Sequence, residues 1–178
     1  SAAAFKEAVE RLQENGADAL LFDVRNNPGG YVTEVTEMLD YLLPEGKIFI
    51  SRDINGKEEV FTSDAACINL PMVVLVNGQS YSAAELFAAE LHESANAVIV
   101  GEQTCGKGYA QQMFPLANGG ALGLSTLRYF TGSGISLIGT GLTPTTKVSL
   151  TEDESWLLRM DKLSHAEDPQ LQAALSSF

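Results

Sequence analysis

The sequence predicts an α/β domain built in layers, in which short buried strands alternate with helices. Three apolar runs carry this prediction, at residues 19–24, 72–76 and 97–100, and each is followed by a turn or loop. The connections between them are long enough for parallel crossovers. Residues 120–150 differ, because shorter β-type runs broken by Gly and Thr predict a β-rich C-terminal part.

The first part of the chain has the pattern helix, strand, turn, helix. Apolar residues recur at helical spacing over residues 2–15, and a glycine follows them, which predicts an amphipathic opening helix. The continuous apolar run 19–24 predicts a strand that is buried on both faces. After a turn at residues 27–30, residues 31–43 are periodic again and predict a second helix that ends before a proline.

The middle and end of the chain add a hairpin and two more helices. Residues 48–54 and 58–62 flank an Asn-Gly dipeptide, a pattern that predicts a peripheral β-hairpin. The strand at 72–76 leads through a polar bend into a helical stretch at 82–93. Asp168, followed by proline, is placed to cap a short closing helix. A length of 178 residues without a linker predicts one domain.

Composition excludes several classes of function. The chain has 11 basic and 23 acidic residues, a net charge of −12, so no nucleic-acid partner is expected. No apolar stretch approaches the ~20 residues that cross a bilayer, so we expect no integral membrane segment. The only histidines are His92 and His165, and the only cysteines are Cys67 and Cys105. This set predicts neither a histidine-based metal centre nor a disulfide framework, and we expect no cofactor.

A serine lies where the strand at 72–76 passes into the following helix. Ser82 at this junction would be held at the carboxyl edge of the sheet, where open α/β sheets bind ligands. Ser82 and Glu85 also form a capping-box pattern that any helix could use, and taken alone the pattern favours the cap. The N–H of Ala83 has no helical partner at this position and could face an oxyanion.

A lysine lies between two glycines in the loop after the strand at 97–100. Taken alone, Lys107 in this setting is typical of a flexible loop with a solvated side chain. However, the loop begins at the carboxyl end of a strand expected to neighbour the strand before Ser82, so both side chains could reach one edge of the sheet. A lysine can accept the serine proton only when neutral, which burial favours.

The turn Asn27-Pro28-Gly29-Gly30 follows the strand at 19–24. Taken alone it predicts no more than a tight turn, in which proline fixes one corner and glycine permits a positive φ. At a strand's carboxyl end, such a turn can also aim unpaired N–H groups outward, as an oxyanion hole requires. Gly30 is the preferred donor, and Gly29 is the second candidate.

In this order, these pieces resemble the C-terminal processing, or tail-specific, serine peptidases, whose catalytic domain has the ClpP/crotonase type of fold. Together the matching stretches are highly specific, although each is weak alone. They are LLFDVRNNPGG (20–30), PMVVLVNGQSYSAAE (71–85), AVIVGEQTCGKGYAQ (97–111), LRYFTGSG (127–134) and EDPQLQAAL (167–175).

The resemblance implies a role for each site residue. Ser82 is expected to be the nucleophile, Lys107 the general base and Gln111 a polar group that orients the lysine amine. The reaction would be cleavage of a polypeptide near its C-terminus through an acyl-enzyme, with Gly30 and Ala83 binding the oxyanion. Rival interpretations are a non-catalytic ligand-binding or polypeptide-binding module on the same fold, and an acyl-CoA enzyme of the crotonase type.

The resemblance also implies features beyond the chain. A substrate-handling PDZ domain and a first core strand are expected upstream, so residues 1–178 would be the peptidase core alone. An extracytoplasmic location is expected from the family, and pairing through an exposed sheet edge could give a homodimer. The chain departs from the family at Gly132, where proline is usual, at Thr145, where aspartate is common, and at Cys105, where a large apolar residue is usual.

Overall fold

The computed structural model describes all residues, 1–178, as five helices and eight strands in two sheets. In chain order the elements are α1 (Ala2–Glu14), β1 (Leu20–Asp23), α2 (Val32–Leu42), β2 (Gly46–Arg52), β3 (Glu58–Ser63), β4 (Met72–Val76), α3 (Ala83–Ala95), β5 (Val98–Gly101), β6 (Tyr109–Pro115), β7 (Ala121–Phe130), β8 (Thr146–Lys147), α4 (Glu152–Arg159) and α5 (Pro169–Leu175).

A parallel sheet with strand order β1-β4-β5-β8 forms one half of the fold. All three of its pairings are parallel, which confirms the crossover connections expected from the sequence. Every residue of β4 is buried, as its unbroken apolar run predicts. β4 and β5 are direct neighbours, so the loops that follow them leave the same edge of the sheet side by side.

The expectation that the first strand is buried on both faces is wrong. In β1 only Leu20 is buried, Leu21 and Phe22 are half-buried, and Asp23 is exposed. The reason is the strand order: β1 lies at the edge of the sheet with a partner on one side only. An apolar run alone cannot distinguish an edge strand from a central one.

The second sheet is antiparallel, with strand order β3-β2-β7-β6. The expected hairpin is formed by β2 and β3, and β2 also pairs with β7. β6 and β7 pair over most of their length and form a two-stranded arm, here called the ribbon (residues 109–130). Most ribbon residues are exposed, including Met113 and Leu122. The sheet supplies the β-rich part of this α/β fold.

The main core lies between the first three helices and the two sheets. It is a cluster of 18 buried residues, to which α2 contributes Leu39 and Leu42 and α3 contributes Leu86 and Leu91. A smaller cluster covers the other face of the parallel sheet, where Ala174 of α5 packs against β4 and β5. Helices therefore cover both faces of the parallel sheet, as a layered α/β fold requires.

The sequence predicts the last helix, α5, but not the one before it, α4. The closing helix α5 begins as expected, with Asp168 as its N-cap and Pro169 in the first turn. Helix α4 was not expected, and none of its residues is buried. Its signal was the capping box Thr151 to Glu154, which the structure shows. None of the helices combines the length and the hydropathy needed to cross a membrane.

Candidate active site

Three loops converge at the carboxyl edge of the parallel sheet, and together with the start of β6 they carry the site residues expected from the sequence. The loops follow β1, β4 and β5, and β6 closes one side. They enclose a cavity of about 380 Å³. Among its lining residues are Gly29, Gly30, Ser82, Ala83, Lys107 and Gln111.

Ser82 lies at a sharp turn between β4 and α3, with φ 61° and ψ −125°. A positive φ is uncommon for a residue other than glycine, and such strain persists only where the surroundings fix it. The neighbouring Ser80 is fully buried, and its hydroxyl donates to the Val24 carbonyl oxygen at 2.7 Å. Ser80 therefore has a structural role, which leaves Ser82 as the serine that lines the cavity.

Glu85 is the residue at this site whose importance sequence reasoning missed. Its carboxylate is fully buried and accepts the Ser82 N–H at 2.9 Å, which is one half of the expected capping box. It also accepts the Thr104 hydroxyl at 2.6 Å and the N–H groups of Gly106 and Lys107 at 2.6 and 3.0 Å. One buried carboxylate thus ties the serine turn to the lysine loop. The S-x-x-E pattern predicted only the first of these bonds.

The lysine loop is fixed through its backbone. The Cys105 N–H donates to the Ser80 carbonyl oxygen at 3.1 Å, and the Tyr129 hydroxyl donates to the carbonyl oxygen of Lys107. The Lys107 Nζ lies 5.7 Å from the centroid of the Tyr81 ring, a cation–π distance. Lys107 Nζ and Ser82 Oγ are not hydrogen-bonded to each other, although both residues line the same cavity.

Tyr129, on β7, supports the lysine loop. Burial raises the pKa of its phenol above the usual value, and the charge of Glu85 adds to the effect. The phenol is therefore protonated at neutral pH and remains a hydrogen-bond donor. This donor, together with the Glu85 carboxylate, holds the backbone of Lys107.

The turn at residues 27–30 packs directly against the serine turn. A Cβ added to Gly29 would lie 2.7 Å from the Ala83 nitrogen and 2.7 Å from the Tyr81 oxygen, and the φ of Gly29 is +81°. Only glycine fits here. The Gly29 N–H donates to the Asn27 side chain at 2.8 Å, so it is not free to bind an oxyanion.

The backbone N–H groups of Gly30 and Ala83, the preferred donors expected from the sequence, have no hydrogen-bond partner, and both residues line the cavity. Unpaired N–H groups that face one cavity are the arrangement that binds a developing negative charge.

Gln111 lies on β6 at the start of the ribbon, just after a register shift between residues 110 and 111. Its side chain is exposed, lines the cavity and makes no hydrogen bond to another protein group. The floor of the cavity is apolar and includes Val32, Val35, Phe49 and Leu86. The cavity therefore combines polar groups along one wall with an apolar floor, as is usual for a site that binds part of a larger molecule.

The histidines and cysteines do not line the cavity. The His92 ring contacts the Ala97 carbonyl oxygen at 2.8 Å, as a packing residue would, and His165 is exposed. Cys67 and Cys105 are both free and exposed. The structure contains no group of three or more His, Cys, Asp or Glu side chains that could hold a metal ion.

Two of the departures from the family pattern have local explanations. The Gly132 N–H donates to the buried Glu90 carboxylate at 2.5 Å, a bond that proline could not make. The Thr145 hydroxyl donates to the Ile99 carbonyl oxygen at 2.9 Å and accepts the Ile99 N–H at 3.0 Å, so it stabilises the end of β5. Both positions shape loops and do not line the cavity.

Comparisons of sequence and of structure with known proteins indicate the family that the sequence motifs resemble. The family model described as peptidase family S41 matches residues 1–148. The chain is 35% identical over 179 residues to a carboxyl-terminal-processing protease of Synechocystis, covering 98% of this chain and 41% of that protein. It is 33% identical over 148 residues to the carboxy-terminal processing protease CtpA of Bacillus subtilis, covering 82% of this chain and 32% of that protein.

The solved structure of a photosystem II D1 C-terminal processing protease has the same architecture. It superposes with a TM-score of 0.76 at 29% identity, over 95% of this chain and 45% of that one. The chain therefore spans less than half the length of these relatives. The matched fold is that of the ClpP-like peptidases expected from the sequence.

Proposed function

Because the chain belongs to peptidase family S41, we propose that it is the catalytic core of a serine endopeptidase that cleaves polypeptides near their C-terminus. One observation carries the proposal: a hydroxyl, an amine and two unpaired backbone N–H groups line a single cavity at the carboxyl edge of the parallel sheet. These are the parts that acyl transfer requires.

In the proposed mechanism, the Lys107 ammonium releases a proton to water, and the amine moves from the Tyr81 ring to Ser82 and takes the hydroxyl proton. The Ser82 oxygen attacks the peptide carbonyl carbon, and the N–H groups of Gly30 and Ala83 bind the oxyanion that forms. The lysine returns its proton to the leaving amine, which departs and leaves an ester on Ser82. Water then gives a proton to the same lysine and attacks the ester carbonyl carbon, and the lysine passes that proton to the Ser82 oxygen as the acid product leaves.

Gln111 would act by orienting the amine. Its carbonyl oxygen could accept an N–H of Lys107 and hold the amine lone pair toward Ser82, as the third group of a triad orients the base. Its exposed side chain, free of other hydrogen bonds, is available for this contact. The strained turn at Ser82 keeps the hydroxyl at the cavity surface.

The wider context of the core is also a proposal. The relatives are C-terminal processing proteases, and the chain covers 41% of the Synechocystis protein. We infer that the core works beside a substrate-handling PDZ domain, on the extracytoplasmic side of a membrane, and that a homodimer could form through an exposed sheet edge. A polypeptide substrate would lie along the cavity in extended form.

The test is peptidase activity on labelled casein and on peptides with a free or an amidated C-terminus. Ser82→Ala and Lys107→Ala should each lower kcat about 10³-fold or more. Ser176→Ala and Lys162→Ala are matched controls at exposed positions and should keep full activity. Undiminished cleavage by either site variant would refute the mechanism. Equal cleavage of free and amidated peptides would refute selection for the C-terminus.

A further inference from the structure

A buried ion-pair cluster lies outside the cavity and joins the C-terminal helix to the loop after β1. The Arg25 guanidinium lies between two carboxylates, 2.8 Å from Asp168 Oδ2 and 2.6 Å from Asp23 Oδ2. The side chains of Arg25 and Asp168 are each 4% exposed. A pair so well removed from water holds its two partners in a fixed geometry, because leaving either charge unpaired is costly.

The same cluster organises the start of α5. Asp168 Oδ1 caps the helix by accepting the N–H groups of Gln170 and Leu171, both at 3.0 Å. The fully buried Gln170 accepts Arg25 Nη1 at 3.0 Å and donates its own amide to the Val148 carbonyl oxygen at 2.8 Å. Arg25 is therefore held by the first turn of α5 as well as by its neighbour on β1.

From Arg25 a chain of hydrogen bonds leads to the site. Asn26, the next residue, has a φ of +56° and makes two bonds to the Asn77 side chain, both at 3.0 Å. The Asn77 N–H donates to Ser80 Oγ at 3.0 Å, and the Ser80 carbonyl oxygen accepts the Cys105 N–H at 3.1 Å. The cluster thus connects with all three loops that form the cavity.

The connection is most direct to the oxyanion turn, residues 27–30. The turn begins two residues after Arg25, and its first residue, Asn27, accepts the Tyr81 N–H at 3.2 Å. Neither Arg25 nor Asp168 lines the cavity, so neither can touch a substrate there. What they can fix is the direction of the Gly30 N–H, which depends on the backbone path through residues 25–30.

We propose that Arg25 and Asp168 are positioning residues for the oxyanion turn, and that the N-cap of α5, which lies beyond the residues 1–148 matched by the family model, thereby supports the site. The proposal rests on the function proposed above. Loss of the pair would leave substrate binding intact and misdirect the Gly30 N–H in the transition state. That pattern lowers kcat without raising KM.

The test compares two variants that both weaken α5. Asp168→Asn keeps a side chain that can cap the helix and removes the charge that faces Arg25. Ala174→Gly lowers the helix propensity and removes a buried methyl group, while the ion pair stays intact. At a temperature well below both values of Tm, Asp168→Asn should lower kcat on labelled casein about tenfold with KM within about twofold. Ala174→Gly should leave both unchanged.

A second readout does not depend on activity. Amide hydrogen exchange at residues 26–30 should accelerate in Asp168→Asn and stay at the wild-type rate in Ala174→Gly. If Asp168→Asn folds poorly, the same exchange measurement is made on Gln170→Met, which removes a contact of Arg25 without removing a charge. Arg25→Gln combined with Asp168→Asn should lower kcat no further than the more severe single change, because the two side chains act as one unit.

The outcomes separate this inference from the proposed function. If Ser82→Ala abolishes cleavage but Asp168→Asn and Ala174→Gly affect kcat equally, the peptidase assignment stands and the positioning role is refuted. If the wild-type protein cleaves none of the substrates, the amide exchange rates at residues 26–30 are the only test of the inference. Unchanged exchange at residues 26–30 in Asp168→Asn would then overturn the inference.

Discussion

The two sheets of this fold differ in how firmly they hold the residues that line the cavity. On the parallel side, β4 is buried along its whole length, and the three loops beyond the strands are joined by the Glu85 carboxylate and by the Asn26–Asn77 pair. On the antiparallel side, the ribbon contributes the exposed residues Gln111 and Met113, whose side chains make no hydrogen bond, and the buried Tyr129, which holds the lysine loop. Buried contacts fix the parallel side, and most ribbon residues lack them.

This difference assigns chemistry and recognition to different parts of the molecule. Groups that must meet within about 0.5 Å need buried support, and the parallel edge supplies it. An exposed ribbon with few packing contacts has low local stability and can adjust to different polypeptides. We therefore expect changes at the parallel edge to act on kcat, and changes at exposed ribbon residues other than Gln111 to act on KM. The predictions below test how firmly each side is held.

The largest effect is expected at the contact between the oxyanion turn and the serine turn. Gly29→Ala would place a methyl group 2.7 Å from backbone atoms of Tyr81 and Ala83 at a φ of +81°, so the turn must shift. We expect kcat to fall about 100-fold, the cost of losing one oxyanion donor. Gly16→Ala is the control, because its φ is +87° and no atom lies within 4 Å of the added Cβ.

Backbone strain is common to both glycine variants, so the comparison isolates the close approach. Both should lose about 1 kcal/mol of unfolding free energy from the positive φ. Only Gly29→Ala should lose activity, measured as kcat on labelled casein. Equal activity in the two variants would show that the turn does not need its contact with Ser82.

An intermediate effect is expected at Glu90 of α3, which joins the two halves by accepting the N–H of Gly132, two residues after the ribbon. Burial raises the pKa of Glu90 from 4.5 to about 8, the charge of Glu93 adds to this, and Glu90 Oε2 has no partner. The folded state therefore binds a proton that the unfolded state releases above about pH 4.5. Its stabilising effect is complete below that pH and is lost as the pH rises through about 8.

Glu90→Gln should remove this pH dependence, since the amide cannot ionise. Urea unfolding at pH 5, 7 and 9 is expected to show a smaller loss of stability with rising pH in Glu90→Gln than in the wild type. Glu154→Gln, a change to a half-buried capping residue of α4, should keep the wild-type slope. If all three proteins have the same slope, the Glu90 carboxyl is ionised in the folded state.

The smallest effect is expected in the ribbon. Leu75→Ala in the buried strand β4 should cost about 2–5 kcal/mol of unfolding free energy. Leu122→Ala, the same substitution at a residue that is 47% exposed, should cost no more than about 0.5 kcal/mol. Urea unfolding measures both. A comparable loss in the two variants would mean that the ribbon is packed as firmly as the parallel sheet.

Much of the parallel side was predictable because its signals are local. Unbroken apolar runs gave β4 and β5, the junction after β4 gave Ser82 and the start of α3, and Asp168 with its following proline gave the start of α5. The parallel pairing followed from the length of the connections. These features depend on short stretches of chain, which is why one sequence sufficed for them.

The rest depends on contacts that no short stretch contains. The half-exposed state of β1 follows from strand order, and β6 escaped prediction because Gln111 and Gln112 interrupt the β pattern on an exposed arm. The bonds from Glu85 to the lysine loop join residues about 20 positions apart. The loss of Gly29 as a free donor follows from the position of one side chain, that of Asn27.

The most direct test of the central claim measures the reactivity of Ser82 itself. A fluorophosphonate should label the protein at Ser82, identified by mass spectrometry, and labelling should slow about 100-fold in Lys107→Met. Lys162→Met, at an exposed lysine beside Trp156, should label at the wild-type rate. Labelling at another residue, or an unchanged rate at Ser82 in Lys107→Met, would contradict the account that the two loops at the parallel edge form one catalytic pair.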